Sequence, residues 1–146
     1  MAQLVRTALV AYGASDLLAL VEDVEAYPQY LPWCVEAAIV ARDADAVTAR
    51  MAFARAGLRQ GVTTRNRRTA EHRLEMELVE GPFAQLRGAW EFRPLGVQAS
   101  KVIFTIDYEL DAALAHLAAN ALVSEAALVA VDAFQKRAAQ LYGKRF

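Results

Sequence analysis

After Trp33 the chain alternates apolar and polar residues with period two in five separate runs, and this pattern limits the possible folds more than any other feature. Val35, Ala37, Ile39 and Ala41 form the first run, Val47, Ala49, Met51 and Phe53 the second, and His72, Leu74, Met76 and Leu78 the third. Leu86, Gly88, Trp90 and Phe92 follow, and Val102, Phe104, Ile106, Tyr108 and Leu110 close the series. Successive side chains of a strand point to opposite faces, so each run predicts a strand with one apolar face and one rich in Arg, Glu, Lys or Asp. Such strands build an antiparallel sheet with one wet face. Ala56-Gly57-Leu58 and Arg93-Pro94-Leu95-Gly96 are turns of hairpin size, which makes the strands sequential neighbours.

The sheet is framed by helical segments. Gln3 to Tyr12 reads as a first strand, and Leu17, Leu20, Val21 and Val24 then fall on one helix face, with Ser15 placed to cap it and Asp16 in its first turn. From Asp111 to Gln140 the chain is alanine-rich and helical. His116, Asn120 and Ser124 share a polar stripe in its first half, whereas Glu125, Asp132, Lys136 and Gln140 lie nearly opposite. One straight helix cannot bury a single face with that pattern, so a kink or break is expected between about Ala119 and Ser124. The second half, with Val131, Phe134, Ala138 and Leu141, should then lie across the apolar face of the sheet. The expected class is α+β, and 146 residues make one domain spanning 1–146.

Two aromatic, proline-bearing stretches interrupt this scheme. Tyr27-Pro28-Gln29-Tyr30-Leu31-Pro32-Trp33-Cys34 cannot lie inside one regular helix, because each proline removes a donor and restricts the residue before it. It predicts a rigid, apolar connection. In Gly81-Pro82-Phe83-Ala84-Gln85-Leu86-Arg87-Gly88-Ala89-Trp90 a sharp turn leads into a strand whose Gly88 leaves open space beside Trp90. Together they suggest a protein that builds a cavity.

Several chemistries find little footing. The apolar fraction is 56%, yet polar residues recur too often in the C-terminal helix for a membrane span. A single cysteine, Cys34, excludes an internal disulfide and any multi-cysteine zinc site. It reads as a small buried hydrophobe. His72 and His116 are too isolated for a metal site, and Asp107 and Glu109 share an outward strand face while Asp111 suits a helix cap. No signal region precedes the first strand, which places the expected location in the cytoplasm. The net charge of -1 hides a local imbalance: Arg55, Arg59, Arg65, Arg67, Arg68 and Arg73 meet only Glu71 within their own window. That arginine-rich hairpin is either a solvated outer face or a surface for phosphates.

A long helix gripped by a curved antiparallel sheet, with two small helices after the first strand, resembles the helix-grip fold of the START and Bet v 1-like superfamily. The two proline-bearing stretches, with Thr63-Thr64-Arg65-Asn66, are similar to its coenzyme Q-binding branch, also described as polyketide cyclase or lipid transport proteins and including bacterial ribosome association toxins. The resemblance runs from Gln3 to about Tyr142. It implies non-catalytic binding of ubiquinone or a related polyprenyl lipid, as a carrier or chaperone for respiration, with no cofactor required and transient contact at the inner membrane. The alternative it implies is association with the large ribosomal subunit that blocks subunit joining. A cyclase is the minor third reading, and DNA is not an expected partner.

A polyprenyl quinone needs an apolar tunnel with a few donors at one end. The candidate wall is Phe53, Met76, Leu78, Phe83, Trp90, Phe92, Phe104, Ile106 and Tyr108. Thr64, Asn66 and Tyr108 are candidates for head-group hydrogen bonds, or else make ordinary sheet contacts. Trp33 stands either at the mouth or packed beneath the first helices. Arg59, Arg65 and Arg67, outward by alternation, are the candidate docking residues.

Overall fold

The computed structural model describes residues 2–55, 57–116 and 120–143, and its strands form one curved, open antiparallel sheet. The strands are β1 (Ala2–Val10), β2 (Cys34–Arg42), β3 (Ala46–Arg55), β4 (Leu58–Ala70), β5 (Arg73–Glu80), β6 (Phe83–Gly96) and β7 (Ala99–Leu110). Their order is β1-β7-β6-β5-β4-β3-β2, so β2 to β7 are a meander of sequential hairpins and β1 closes onto β7. Helix α1 (Ala14–Glu22) and a short 3-10 helix (Val24–Gln29) follow β1. Helices α2 (Ala112–His116) and α3 (Asn120–Tyr142) follow β7. This is the expected α+β helix-grip arrangement. Among the described residues no helix is long and apolar enough to cross a membrane.

The alternation places most inner-face residues as expected, and its failures have local causes. In β2 the register slips between Cys34 and Glu36 and again between Ile39 and Ala41. Each bulge adds a residue and reverses the facing that follows. Cys34, Ala37 and Ile39 therefore face the core, while Val35 and Ala41 are exposed. The turn after β6 lies beyond Gly96 rather than at 93–96, because β6 continues and Pro94 pairs with Ser100 of β7. Pro94 is tolerated because β5 pairs with β6 only as far as Glu91, which leaves that side of the strand free of ladder bonds.

Ser15 does not cap α1. Gly13 holds the cap position without a side-chain bond, and the Ser15 hydroxyl instead lies 3.2 Å from His72 Nε2. Asp111 does cap, with Oδ1 accepting from the Leu114 N–H at 2.9 Å. Helix α3 runs unbroken through Ser124, so the expected irregularity is not inside it; α2 and α3 are separate elements, and the junction at 117–119, including Ala119, lies outside the described residues.

The core forms where α1 and the second half of α3 cover the sheet. Leu17, Leu20 and Val21 of α1 join Val131, Phe134 and Ala138 of α3 over Leu74, Trp90, Phe92, Val102 and Phe104. The Phe134 ring stands edge-on to Trp90 at 5.0 Å and to Tyr27 at 5.5 Å. Leu141, expected in this contact, is 52% exposed.

Candidate ligand cavity

Beneath the first half of α3 the same sheet face is not filled. A cavity of about 260 Å³ lies there, between β3 to β7 on one side and Leu122, Val123, Ala126 and Ala130 on the other. Small helix side chains opposite a concave sheet leave the volume that Phe134 occupies one to three turns later.

Nine of the candidate residues line this cavity: Trp33, Phe53, Thr64, Asn66, Met76, Phe83, Trp90, Phe104 and Ile106. They come together because cross-strand register aligns them. Asn66, Met76, Gly88 and Ile106 form one row across β4, β5, β6 and β7, and Trp90 pairs with Phe104, their rings stacked at 4.2 Å. Leu78, Phe92 and Tyr108 do not line it. Phe92 points to the α1 side and packs in the core. Tyr108 is 2% exposed and stands perpendicular to the Phe83 ring at 6.3 Å, while Leu78 packs toward Gly81. The space beside Gly88 is not open either, since a Cβ there would stand 2.9 Å from the Met76 methyl. Met76 has filled it.

Sequence alternation missed the walls that come from outside the runs. Leu31 and Pro32 enter from the proline-bearing connection, Leu58 and Gln60 from the start of β4, and Leu114 and Leu122 from the two C-terminal helices. The alanines of α3 carried a usable signal, since Ala126 and Ala130 lie one turn apart and leave room on one face.

Polar groups are few and sit mainly on β3 and β4. The buried Thr64 hydroxyl donates to Asn66 Oδ1 at 2.7 Å, which orients the amide and leaves its N–H groups for other use. Gln60 and Arg55 continue this side toward solvent. The Arg55 guanidinium lies 4.7 Å over the Trp33 ring and 3.4 Å from Glu125 of α3. Trp33 has φ of 73°, a left-handed conformation rare for a bulky side chain, and its carbonyl accepts from the Ala54 N–H at 2.8 Å. Pro32 on one side and β3 on the other hold it there.

Nearby titratable groups are held neutral by burial. Desolvation pushes the Cys34 thiol up to about 11, partly offset by its contact with the Glu36 carbonyl. Burial also raises Tyr27, whose hydroxyl donates to the Val21 carbonyl, and Tyr30, where the Arg137 cation partly opposes the shift. Among the described residues no group of three or more His, Cys, Asp or Glu is placed to hold a metal ion.

On the outer face, Arg59, Arg65 and Arg67 are exposed. The imbalance seen within their sequence window is relieved by other segments: Arg59 pairs with Glu36 at 3.1 Å, Arg65 with Asp43 at 3.2 Å, and Arg68 with Glu22. Arg67 lies opposite Glu75 of β5 without a close ion pair.

A curved sheet closed by a long helix over an apolar cavity defines a START-like, helix-grip protein. The chain belongs to the family described as "Polyketide cyclase / dehydrase and lipid transport", whose model matches residues 10–135. It is 39% identical to the ribosome association toxin RatA of Escherichia coli strain K12, over 99% of this chain and 92% of that one. The solution structure of an 18 kDa protein from Caulobacter crescentus is 32% identical, with a TM-score of 0.78 over 99% of this chain and 100% of the other. A START superfamily protein from Mycobacterium smegmatis shares the fold with a TM-score of 0.84 at 24% identity, covering 95% of this chain and 98% of its own.

Proposed function

We propose that this chain is a non-catalytic binding protein that associates with the ribosome, as the name of its Escherichia coli relative states for that protein. One observation carries the reading: the 39% identity extends over nearly all of both chains, so the likeness is one of whole chains and not of a shared segment. The resemblance points to the large subunit. The test is sedimentation of the purified chain with isolated subunits through a density gradient. It should travel with the large subunit at low salt and separate as salt rises, because contacts to phosphates release counterions. A chain that stays at the top of the gradient at low salt overturns the proposal.

A second reading is compatible with the first and rests on the cavity. An apolar chamber with the Thr64–Asn66 pair in its wall suits a lipid whose ring carries oxygen acceptors, and ubiquinone is the candidate that the family resemblance supplies. The volume of about 260 Å³ falls just below the range of about 300–1,000 Å³ usual for drug-sized ligands. A ring and the start of its tail fit this chamber, and a long tail must leave through the mouth. Mass spectrometry of lipid extracted from protein made in a quinone-producing host tests this reading. Quinone at the level of an unrelated control protein would rule it out. For catalysis the wall offers Arg55, Gln60, Thr64 and Asn66, donors without a carboxylate or imidazole base among the described lining residues, so binding is preferred over a cyclase reaction.

A further inference from the structure

We propose that Arg55 is a head-group site for an anionic amphiphile, whose apolar tail enters the cavity and whose carboxylate replaces Glu125 on the guanidinium. The inference rests on the cavity reading and narrows the ligands it admits. Arg55 is the one charged side chain among the described residues that line the cavity. Its side chain is 49% exposed, so it stands at the mouth, where chamber and solvent meet.

Three features make it a receptor rather than an ordinary surface ion pair. The guanidinium is positioned by stacking over Trp33, and Trp33 is fixed by Pro32, by its left-handed backbone and by its bond to Ala54. A cation held over a ring face is attracted without spending its N–H groups on acceptors, so they remain to donate. The present partner is poorly engaged: Glu125 reaches one nitrogen at 3.4 Å, from a side chain that is 47% exposed and free to turn outward. A ligand carboxylate accepting two parallel N–H bonds would be better held than this single contact. The exchange restores one carboxylate for another, so no charge is left unpaired. Beyond Arg55 the lining side chains are uncharged and mostly apolar, among them Phe53, Leu58 and Leu122, which favours a tail inside and holds the charged head at the entrance.

Calorimetric titration with decanoate and with decanol, at a mildly alkaline pH where decanoate is ionised, tests the proposal. Without a cation at the mouth the alcohol must bind more tightly, because a carboxylate resists leaving water. The wild-type chain should instead favour decanoate by about tenfold. Arg55→Met keeps the packing on Trp33 and should reverse the order. Glu125→Gln removes the competitor and should raise the decanoate-to-decanol ratio further. Decanol binding that equals or exceeds decanoate binding in the wild type, or a preference that survives Arg55→Met, overturns the head-group site while leaving the cavity reading intact. Failure of both probes to bind removes the cavity reading, and the head-group site with it.

Discussion

The two halves of α3 cover the same sheet and give opposite results. Over its second half Val131, Phe134 and Ala138 meet Leu17, Val21, Trp90 and Phe92, and the space is closed by interlocking aromatic rings. Over its first half Leu122, Val123, Ala126 and Ala130 face Phe53, Thr64, Met76 and Ile106 across a cavity. The strands contribute residues of similar size to both regions. The difference lies in the helix, and in α1, which lends a third layer to the solid half only. A period-two pattern therefore specifies an inner face without specifying whether that face becomes core or cavity.

The strongest way to break this comparison is to truncate the solid half and fill the hollow one. Phe134→Ala should cost about 3–5 kcal/mol, because the ring stands where core and cavity meet, packed against Tyr27, Tyr30 and Trp90, and its loss enlarges the cavity whose end it lines. Ala126→Leu adds a side chain where volume already exists and should change stability by less than about 1 kcal/mol, while uptake of an apolar dye such as aminoanthracene falls sharply. Denaturant unfolding and dye fluorescence check both. Equal destabilisation by the two changes would mean that the hollow half is as tightly packed as the solid one. Phe92→Ala sharpens the point, since it should lose about 3 kcal/mol yet keep dye uptake, Phe92 being core and not wall.

These assignments show what the sequence could disclose. The strands, the small early helices and the wall residues named from the strand runs and the proline-bearing stretches follow from alternation and proline placement, which act over a few residues. Phe92 and Tyr108 were misplaced because alternation fixes the face of a strand but not the position along it at which another layer begins. A glycine in a strand signals a gap, but at Gly88 the flexible Met76 side chain one strand away fills it. Leu31, Leu58 and Leu122 reach the wall only through tertiary folding. A sequence window shows the arginines as an excess of charge because Glu36, Asp43 and Glu22, which answer them, lie on β2, in the turn after it and on α1.

A smaller effect separates the buried connection from solvent. Cys34, raised from 9.0 to about 11, and Tyr27, raised by burial, are neutral in the folded chain at a pH where the unfolded chain already ionises. Each acid thus contributes stability that is fully present below its unfolded value and is lost as pH rises through its folded one. Stability should fall as pH climbs from about 9 to 11. Cys34→Ala should flatten the first part of that decline in urea titrations repeated across this range. An unchanged pH profile in the variant would show that the thiol does not carry the linkage. In the same range, Gly88→Ala should trim dye uptake modestly at little cost in stability, since the Met76 methyl that blocks the new Cβ lies at the end of a flexible side chain.

The least change in stability is expected on the outer face, where the comparison becomes one of direct ion pairs against a charge held only at a distance. Exposed ion pairs contribute about 0–1 kcal/mol, so Arg59→Gln, Arg65→Gln and Arg67→Gln should each leave stability and dye uptake nearly unchanged. Their effects on ribosome association should differ. Glu36 already neutralises Arg59 and Asp43 already neutralises Arg65, so a phosphate must displace a carboxylate to reach either one. Arg67 feels Glu75 and Asp43 electrostatically but is bound to neither by a direct ion pair among the described residues, so Arg67→Gln should weaken co-sedimentation most and lower its salt dependence by about one phosphate contact. If all three substitutions leave co-sedimentation and its salt slope as in the wild type, docking does not use the arginine hairpin, and another face of the molecule meets the ribosome.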